Sequence, residues 1–325
     1  MAKKKIQKPS PSSSHRPETS EKSSRSRNER LHPDEQLASS VIDAAFRVAG
    51  ESDSETVLIH LRTVPESIRA HTLTDRKSLL LIARSNEEAQ IARTFTSRVV
   101  QIPPITLSRM GQMKVAVLIA MTKGFIHPHE TVVALAGPGG RDSIDSLIVM
   151  DISRELELFS LAHEKGTLPA GVQPEVFERI LFLASRLAIE GREGKSIGTI
   201  FVIGDVKRVN EYTTQLIINP FQGHPAKDCN ILDSRLTETV KGFAAIDGAF
   251  IINGKGVIQS AGTLLPTSLA QEGKGNSGLG SRHAAARCIS ATTDCLAIAI
   301  SQSTGTIRIY RGGQEVMAIQ GADTN

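Results

Sequence analysis

The chain has 325 residues, of which 40% are hydrophobic, and this is enough apolar material for two domains with their own cores. Aromatic residues make up only 4% and tryptophan is absent, so the cores must be aliphatic, as in α/β proteins. No apolar run approaches the roughly 20 residues that span a bilayer, and the N-terminus lacks a signal-peptide core, so we expect neither a membrane partner nor secretion.

The formal net charge of +4 is unevenly distributed. Residues 1–30 contain nine Lys or Arg against three Glu, a net +6, which leaves −2 for the rest of the chain. This segment is rich in Ser and Pro, so residues 1–33 are predicted to form a disordered basic tail. Such a tail can contact nucleic acid, but a solvated leader is the simpler interpretation, and nucleic acid is not an expected partner.

Three cysteines show neither CxxC spacing nor an even disulfide framework. This usage favours a reducing compartment, and we expect a cytoplasmic protein.

Residues 34–160 alternate between helical and strand patterns, which predicts a small α/β domain. An amphipathic helix over "EQLASSVIDAAFRVAG" ends at Gly50, a plausible C-cap. Short aliphatic runs then predict buried strands: "ETVLIHL", "SLLLIARS", "RVVQIP", "ETVVALAG" and "SLIVMDI". Helices are predicted between several of them, at "NEEAQIARTF" and "GQMKVAVLIAMTKG".

A predicted linker over 161–175 precedes a second domain at 176–318, and residues 319–325 form a C-terminal tail. A long helix at "EVFERILFLASRLAIEG" leads to the strand "IGTIFVIGD" and then to an irregular stretch up to about residue 230. The turn "NGKG" predicts an antiparallel pair between "DGAFIING" and "GVIQSAGTLL". A helix over 282–293, the strand "CLAIAIS" and the hairpin "GTIRIYRGGQEV" follow. We expect a mixed sheet flanked by helices, so the fold class is α/β throughout.

Three glycine-rich segments resemble phosphate-binding loops only superficially. "GREGKS" lacks the first glycine of a P-loop and leads from a helix into a strand, the reverse of P-loop order. "GKGNSG" satisfies GxGxxG but does not follow its strand directly. "AGPGGRD" could hold an anion on backbone N–H groups, but a plain turn between two strands is the favoured interpretation.

Asp247 stands inside the apolar run "FAAIDGAFII". A carboxylate is costly to bury there unless a cation, a metal or a hydrogen-bond donor holds it. Gly248 and Ala249 leave room for a ligand to approach the backbone. From the residues alone, a turn cap at a sheet edge and a metal ligand explain Asp247 equally well.

The segment "GLGSRHAAARCIS" places Arg282 and His283 in the first turn of a helix, where the macrodipole disfavours cations. Ser281 is a good N-cap, and the free N–H groups behind it form an anion site. Either the two side chains point into solvent, or a phosphate chain offsets the unfavourable dipole. Together with a carboxylate that holds a divalent metal, the second interpretation predicts a nucleoside triphosphate site.

The two motifs, "DGA" and "SRH" after a glycine-rich loop, resemble the diadenylate cyclase (DisA-type nucleotide-binding) family over residues 172–318. The stretch "GQMKVAVLIAMTKGFIHPHETVVALAGPGGRDSIDSLIVMDI" is similar, more loosely, to the C-terminal α/β domain of pyruvate kinase. The combination resembles a soluble, archaeal-type cyclase, and the chain ends without the transmembrane helices or DNA-binding module of other types.

The resemblance implies condensation of two ATP molecules into cyclic di-AMP with release of two pyrophosphates. It implies that Asp247, Arg282 and His283 are catalytic and that Asp247 binds Mn²⁺ or Mg²⁺. It also implies an ATP-binding set that comprises Gly248, Ala249, Leu265, Gly280, Ser281, Arg282, His283 and Ser301. Because the product joins two nucleotides, we expect self-association as a face-to-face dimer or a higher homo-oligomer.

Two positions depart from the family pattern. Ala284 stands where the motif has a second arginine, so one phosphate contact is missing or Arg287 supplies it. Gln302 follows Ser301 where relatives often carry a glutamate, which leaves a second metal ligand in doubt. The alternative hypotheses are a non-catalytic adenine-nucleotide sensor that retains the fold and a nucleic-acid-binding protein that acts through its tail.

Overall fold

The computed structural model describes residues 32–52, 54–103, 109–127, 129–137, 143–152, 168–191, 197–267 and 280–319. Residues 1–31 of the basic tail, residues 161–167 of the predicted linker and most of the three glycine-rich segments lie outside these described residues. The domain boundaries stay a prediction.

The described part of the chain contains eight α-helices and twelve β-strands. The helices are α1 (Pro33–Glu51), α2 (Glu66–Leu73), α3 (Asn86–Ala92), α4 (Arg109–Thr122), α5 (Pro174–Glu190), α6 (Val206–Asn210), α7 (Leu236–Ala244) and α8 (Ser281–Thr292). The strands are β1 (Thr56–His60), β2 (Leu79–Ala83), β3 (Val99–Gln101), β4 (Thr131–Ala136), β5 (Ser146–Asp151), β6 (Ile200–Gly204), β7 (Thr214–Gln215), β8 (Ala249–Asn253), β9 (Ile258–Leu264), β10 (Cys295–Ile300), β11 (Ile307–Arg311) and β12 (Gln314–Ile319).

The first sheet has the strand order β3-β2-β1-β4-β5 and is parallel except for β5. Every residue of β1 and β2 is buried, which explains their continuous aliphatic runs, because parallel strands are covered on both faces. All five strands lie where the aliphatic runs predict them, and the α/β class is confirmed for this half.

The second sheet has the strand order β12-β11-β10-β6-β8-β9-β7, and only β6 and β8 pair in parallel. This is the predicted mixed sheet, and the two predicted hairpins, β8–β9 and β11–β12, are both antiparallel pairs. Helix α5 covers one face, where the rings of Phe201 and Phe250 stack with centroids 5.1 Å apart. Helix α8 covers the other face through Ala285, Ala286 and Ile289.

Several strands of this second sheet start or finish at the same end of the sheet. The register aligns Ile200 with Ala249 at the starts of β6 and β8, and Ala299 near the end of β10 lies beside Ile200. Ile307, at the start of β11, pairs with Ile300. This end of the sheet therefore brings together the residues that precede β6 and β8 and the residues that follow β10.

The structure differs from the sequence-based expectations in three places. Helix α1 runs through Gly50 to Glu51, so Gly50 is not the C-cap. Helix α2 has only three buried residues in eight, too few for a clear periodic signal, and it was not expected. The stretch predicted to be irregular contains α6 and β7, which are five and two residues long and therefore too short to leave a pattern.

Candidate functional site

Asp247 lies in the turn directly before β8, and its side chain is 89% exposed. The apolar run divides into the end of α7 and the start of β8, and the aspartate lies in the turn between them, so its carboxylate is not buried. Its Oδ1 lies 3.1 Å from Nη2 of Arg282, which is the second residue of α8. The structure thus joins two predicted site residues that are 35 positions apart in sequence.

Arg282 is held from a second direction by Gln302. Its Nη1 donates to Oε1 of Gln302, in the loop after β10, at 3.2 Å. Gly198, just before β6, lies behind the guanidinium, because a Cβ at this glycine would be 3.0 Å from Nη1 and 2.9 Å from Cβ of Gln302. Gln302 is therefore a partner of Arg282, at the position where the resemblance left a metal ligand in doubt.

His283 is buried, with 5% of its surface exposed. Its Nδ1 lies 3.5 Å from the Tyr310 hydroxyl, while its buried Nε2 has no hydrogen-bond partner among the described residues. Burial lowers the pKa of His283 below its usual 6.5, and the neighbouring Arg308 and Arg282 lower it further. The ring is therefore neutral at pH 7, so the basic pair of the sequence is one cation and one neutral donor or acceptor.

A cavity of about 390 Å³ opens beside Asp247, and we call it the Leu265 cavity. Its walls are largely aliphatic, from Ile200, Ala249, Leu265 and Ala285, which also pack in one apolar cluster. Polar groups stand at its rim: Asp247, Thr263, Thr267, Ser281 and Arg282. A flat apolar ring system with a polar end fits this arrangement.

A second cavity of about 560 Å³ shares Ser281 and Arg282 with the first, and we call it the Ser301 cavity. Arg282, His283 and Arg308 line it together with five residues that carry a hydroxyl group: Ser281, Ser301, Ser303, Thr304 and Thr306. No carboxylate is among its lining residues within the described ranges. The cavity therefore carries positive charge and hydrogen-bond donors, which suits an anion.

Each of the predicted site residues lines at least one of the two cavities. Asp247, Gly248, Ala249 and Leu265 line the Leu265 cavity, and Gly280, His283 and Ser301 line the Ser301 cavity. Ser281 and Arg282 line both. The first two residues of α8 thus line both an apolar and a cationic cavity.

The role of Gly248 differs from the one expected. Its φ is +112°, and a Cβ there would lie 2.6 Å from backbone atoms of Gly262 and Thr263 on β9. The missing side chain therefore admits the neighbouring strand as well as leaving Gly248 in the cavity wall.

The N-cap expected for α8 was wrong, and the structure also shows where Arg287 points. Gly280, not Ser281, is the N-cap residue, and no side chain caps the helix. The first helical bonds run from the N–H groups of His283 and Ala284 to the Gly280 carbonyl, so those of Ser281 and Arg282 precede the ladder. Arg287 lines neither cavity, because its Nε donates to the Gly313 carbonyl in the β11–β12 turn at 3.0 Å.

Gly198, Thr263 and Arg308 belong to the site but were not identified from the sequence. Gly198 and Thr263 lack a distinctive motif, and only strand pairing brings them to this end of the sheet. Arg308 lies in "GTIRIYRGG", where the alternation of Ile307, Arg308 and Ile309 could have marked it as facing away from the core of α5.

A metal ion would find one carboxylate here. Within the described ranges, no group of three or more His, Cys, Asp or Glu side chains could hold a metal by itself. Mg²⁺ is commonly held by one or two carboxylates together with substrate phosphates and water. Asp247 fits that type of site, since it is exposed, lines the Leu265 cavity and contacts Arg282, which lines both cavities.

An apolar cavity joined to a cationic, hydroxyl-rich cavity at a helix N-terminus is the architecture of a nucleotide-binding domain. No helix in the described part of the chain is both long and apolar enough to cross a membrane. Residues 186–315 match the family described as DisA bacterial checkpoint controller nucleotide-binding, and residues 37–159 match the Probable sensor domain DacZ_P.

Two relatives carry the name diadenylate cyclase. One, from Methanocaldococcus jannaschii, is 36% identical over 202 residues, which cover 61% of this chain and 62% of the relative. The other, from Haloferax volcanii, is 28% identical over 248 residues, which cover 76% and 86%. A solved double mutant of DacA from Staphylococcus aureus is 26% identical, with coverage of 44% and 84% and a TM-score of 0.30.

The chain is therefore similar to diadenylate cyclases, the family that the two sequence motifs indicated, and the family match lies over residues 186–315. The match spans less than two thirds of the Methanocaldococcus relative. The similarity of the first domain to pyruvate kinase stays a prediction.

Proposed function

We propose that this protein is a diadenylate cyclase, which condenses two ATP molecules into cyclic di-AMP and releases two pyrophosphates. The observation that carries the proposal is that Arg282 lines both cavities, together with Asp247 in the Leu265 cavity and with His283 in the Ser301 cavity. An adenine would occupy the Leu265 cavity, and the triphosphate would extend past Arg282 into the Ser301 cavity.

The side chains divide the work according to their charge and burial. Arg282 would bind phosphate through its planar guanidinium, which Gln302 and Asp247 already hold in place. His283, neutral and with Nε2 unbonded among the described residues, would donate to a phosphate oxygen without adding charge. The hydroxyl of Ser301 would donate to the same chain of phosphates.

Asp247 would hold a divalent cation, Mn²⁺ or Mg²⁺, with the phosphates as the other ligands. When bound, such an ion neutralises the charge that develops on the phosphoryl group and lowers the pKa of an attacking hydroxyl. Release of Asp247 from Arg282 on substrate binding would free both groups for these contacts. The 89% exposure of Asp247 leaves its oxygens accessible for this.

One set of these residues accommodates one ATP, whereas the product needs two nucleotides that attack each other. The simplest solution is a face-to-face pair of identical sites related by a two-fold axis. Leu216 and Leu264, at the mouth of the Leu265 cavity, are about half exposed and support a contact at this surface. The proximity of two bound nucleotides would then supply much of the rate.

The decisive test is incubation of the purified protein with ATP and Mn²⁺, followed by mass spectrometry. Cyclic di-AMP and pyrophosphate in a 1:2 ratio are the expected products. Tight ATP binding without product would instead favour the nucleotide sensor.

The pairing of two sites is tested separately by dilution. Activity per subunit should fall where sedimentation shows that dimers dissociate, and an excess of Asp247→Asn protein should suppress wild-type subunits that exchange with it. Constant specific activity at dilutions that contain only monomers would contradict the face-to-face arrangement.

A further inference from the structure

Arg308 is a second guanidinium that faces the Ser301 cavity, and the proposed reaction has not yet used it. On β11, Ile307 and Ile309 point into the core that α5 covers, while Tyr310 packs on the side of α8. The period of two along a strand therefore places Arg308 on the α8 side, beside His283. Its side chain is 26% exposed, and its charge contributes to the lowered pKa of His283.

The carboxylate partners of both arginines stand outside the Ser301 cavity. Asp247, the partner of Arg282, is in the rim of the Leu265 cavity. Glu315 on β12 lies with Oε2 3.3 Å from Nε of Arg308 and does not line the cavity. Two guanidinium groups thus line one compartment that has hydroxyl donors but no acidic side chain among its described lining residues, an arrangement that suits a polyanion.

We propose that Arg308 is a phosphate-binding residue, which contacts the outer phosphates of the nucleotide and the pyrophosphate released from it. The inference rests on the proposed function and extends it to a strand that the motifs do not include. Ala284, the helical residue after His283, has no charge to offer, and Arg287 is turned toward Gly313. Arg308 is therefore the second cation of the phosphate compartment, and Glu315 holds it there while the site is empty.

A structural ion pair between Arg308 and Glu315 is the competing explanation. Both side chains are about a quarter to a third exposed, and partly exposed pairs of this kind contribute little to stability. The two explanations differ in their effect on ligand binding: only a phosphate-binding Arg308 predicts that its replacement weakens a ligand with phosphates more than one without them. Binding rather than stability therefore decides between them.

The experiment measures binding of 3′-deoxy-ATP, which cannot form the 3′ phosphodiester, and of 3′-deoxyadenosine, which has no phosphates. Arg308→Gln should weaken 3′-deoxy-ATP binding about tenfold, the value of one charge-assisted contact, and change 3′-deoxyadenosine binding less than twofold. Arg308→Lys should retain most of the affinity, because it keeps the charge. Inorganic pyrophosphate should also compete less well in Arg308→Gln.

Two matched variants serve as controls. Arg287→Gln removes an equal charge from the same region and should leave both affinities within twofold of wild type. Glu315→Gln frees Arg308 from its partner and should leave 3′-deoxy-ATP binding unchanged or tighter, whereas a structural pair would make it behave like Arg308→Gln.

Unchanged 3′-deoxy-ATP affinity in Arg308→Gln, or equal losses for the two probes, would overturn the role of Arg308. Should wild-type protein bind 3′-deoxy-ATP no better than 3′-deoxyadenosine, the phosphate compartment itself would be disproved. A wild type that binds 3′-deoxy-ATP tightly but makes no cyclic di-AMP would refute the cyclase alone, and the ratio of affinities would still decide on Arg308.

Discussion

Two partly exposed Asp–Arg pairs, one beside each sheet, have similar chemistry but different surroundings. Arg76 lies 2.6 Å from Asp43 of α1, stacks over the Phe46 ring at 4.6 Å and donates to the Thr72 carbonyl. Arg282 lies 3.1 Å from Asp247 and borders two cavities. An exposed Asp–Arg pair therefore does not by itself indicate a binding site. The cavities that Arg282 lines are what indicate one.

The buried histidines repeat this contrast. His60, at the end of β1, accepts a hydrogen bond from the Arg62 backbone N–H at Nδ1. His283 lines the Ser301 cavity, and its buried Nε2 has no hydrogen-bond partner among the described residues. We expect substitutions near the first sheet to change stability and those near the second to change activity.

The largest effect is expected at Asp247. Asp247→Asn should lower cyclisation at least a hundredfold, because the amide keeps the shape but loses the charge that a metal needs. The melting temperature should stay within about 1 °C, since an exposed pair contributes little to folding. Asp43→Asn, the matched control at the other pair, should leave activity within twofold. Comparable activity losses in the two variants would remove the contrast between the pairs.

The next effect concerns the acid stability of the first sheet. Burial lowers the pKa of His60 from 6.5 to about 4, with Arg84 and Arg62 acting in the same direction and Glu88 opposing them. The unfolded chain therefore binds a proton that the folded chain rejects, and stability is complete above pH 6.5 and lost as the pH falls toward 4.

Replacing His60 by Asn, which keeps an acceptor for the Arg62 N–H, should reduce the stability lost between pH 7 and 5 by about 2 kcal/mol. Urea unfolding at both pH values measures this difference. Nucleotide affinity should be unchanged, and His71→Asn, at an exposed position, is the control. An unaltered pH dependence in the His60→Asn protein would show that another group titrates.

A smaller loss of activity is expected from Gly198→Ala. The added methyl group would meet Nη1 of Arg282 and Cβ of Gln302 at 3.0 Å or less, and it would shift the guanidinium that lines both cavities. Cyclisation should fall about tenfold, in proportion to one misplaced charge-assisted contact.

Gly242→Ala provides the control for Gly198→Ala. No atom lies within 4 Å of the methyl group at this position in α7, and Ala should stabilise the helix slightly without affecting the rate. If Gly198→Ala retains full activity while its melting temperature falls, then Gly198 is needed for packing and not for the position of Arg282. Its role would then be structural, like the role expected for residues of the first sheet.

The smallest effect is expected from deletion of residues 1–30. This segment has too few apolar residues to offset the entropy of ordering, so both sheets should fold without it. Melting temperature and specific activity of the truncated protein should match those of the full chain. A loss of activity with unchanged melting would assign the basic tail a role in catalysis or assembly.

Local patterns explain why much of the fold was predictable. Strands β1, β2 and β4 are continuous aliphatic runs because both of their faces are buried, and the "NGKG" turn sets the β8–β9 hairpin. The shortest elements, α6 and β7, escaped prediction because two to five residues carry no period.

The candidate site was predictable only where its residues lie in contiguous motifs. The sequence by itself determined that Asp247 is followed by two small residues and that Arg282 and His283 begin a helix after glycines, because these features depend on neighbours in the chain. Tertiary structure decided that Asp247 is exposed and bonded to Arg282, that His283 is neutral, and that Gly198 and Arg308 belong to the site. The physical reason is strand pairing: β6, β8, β10 and β11 bring positions more than a hundred residues apart to one end of the sheet. There, burial and nearby charges lower the pKa of His283, and the packing determines the space around these side chains.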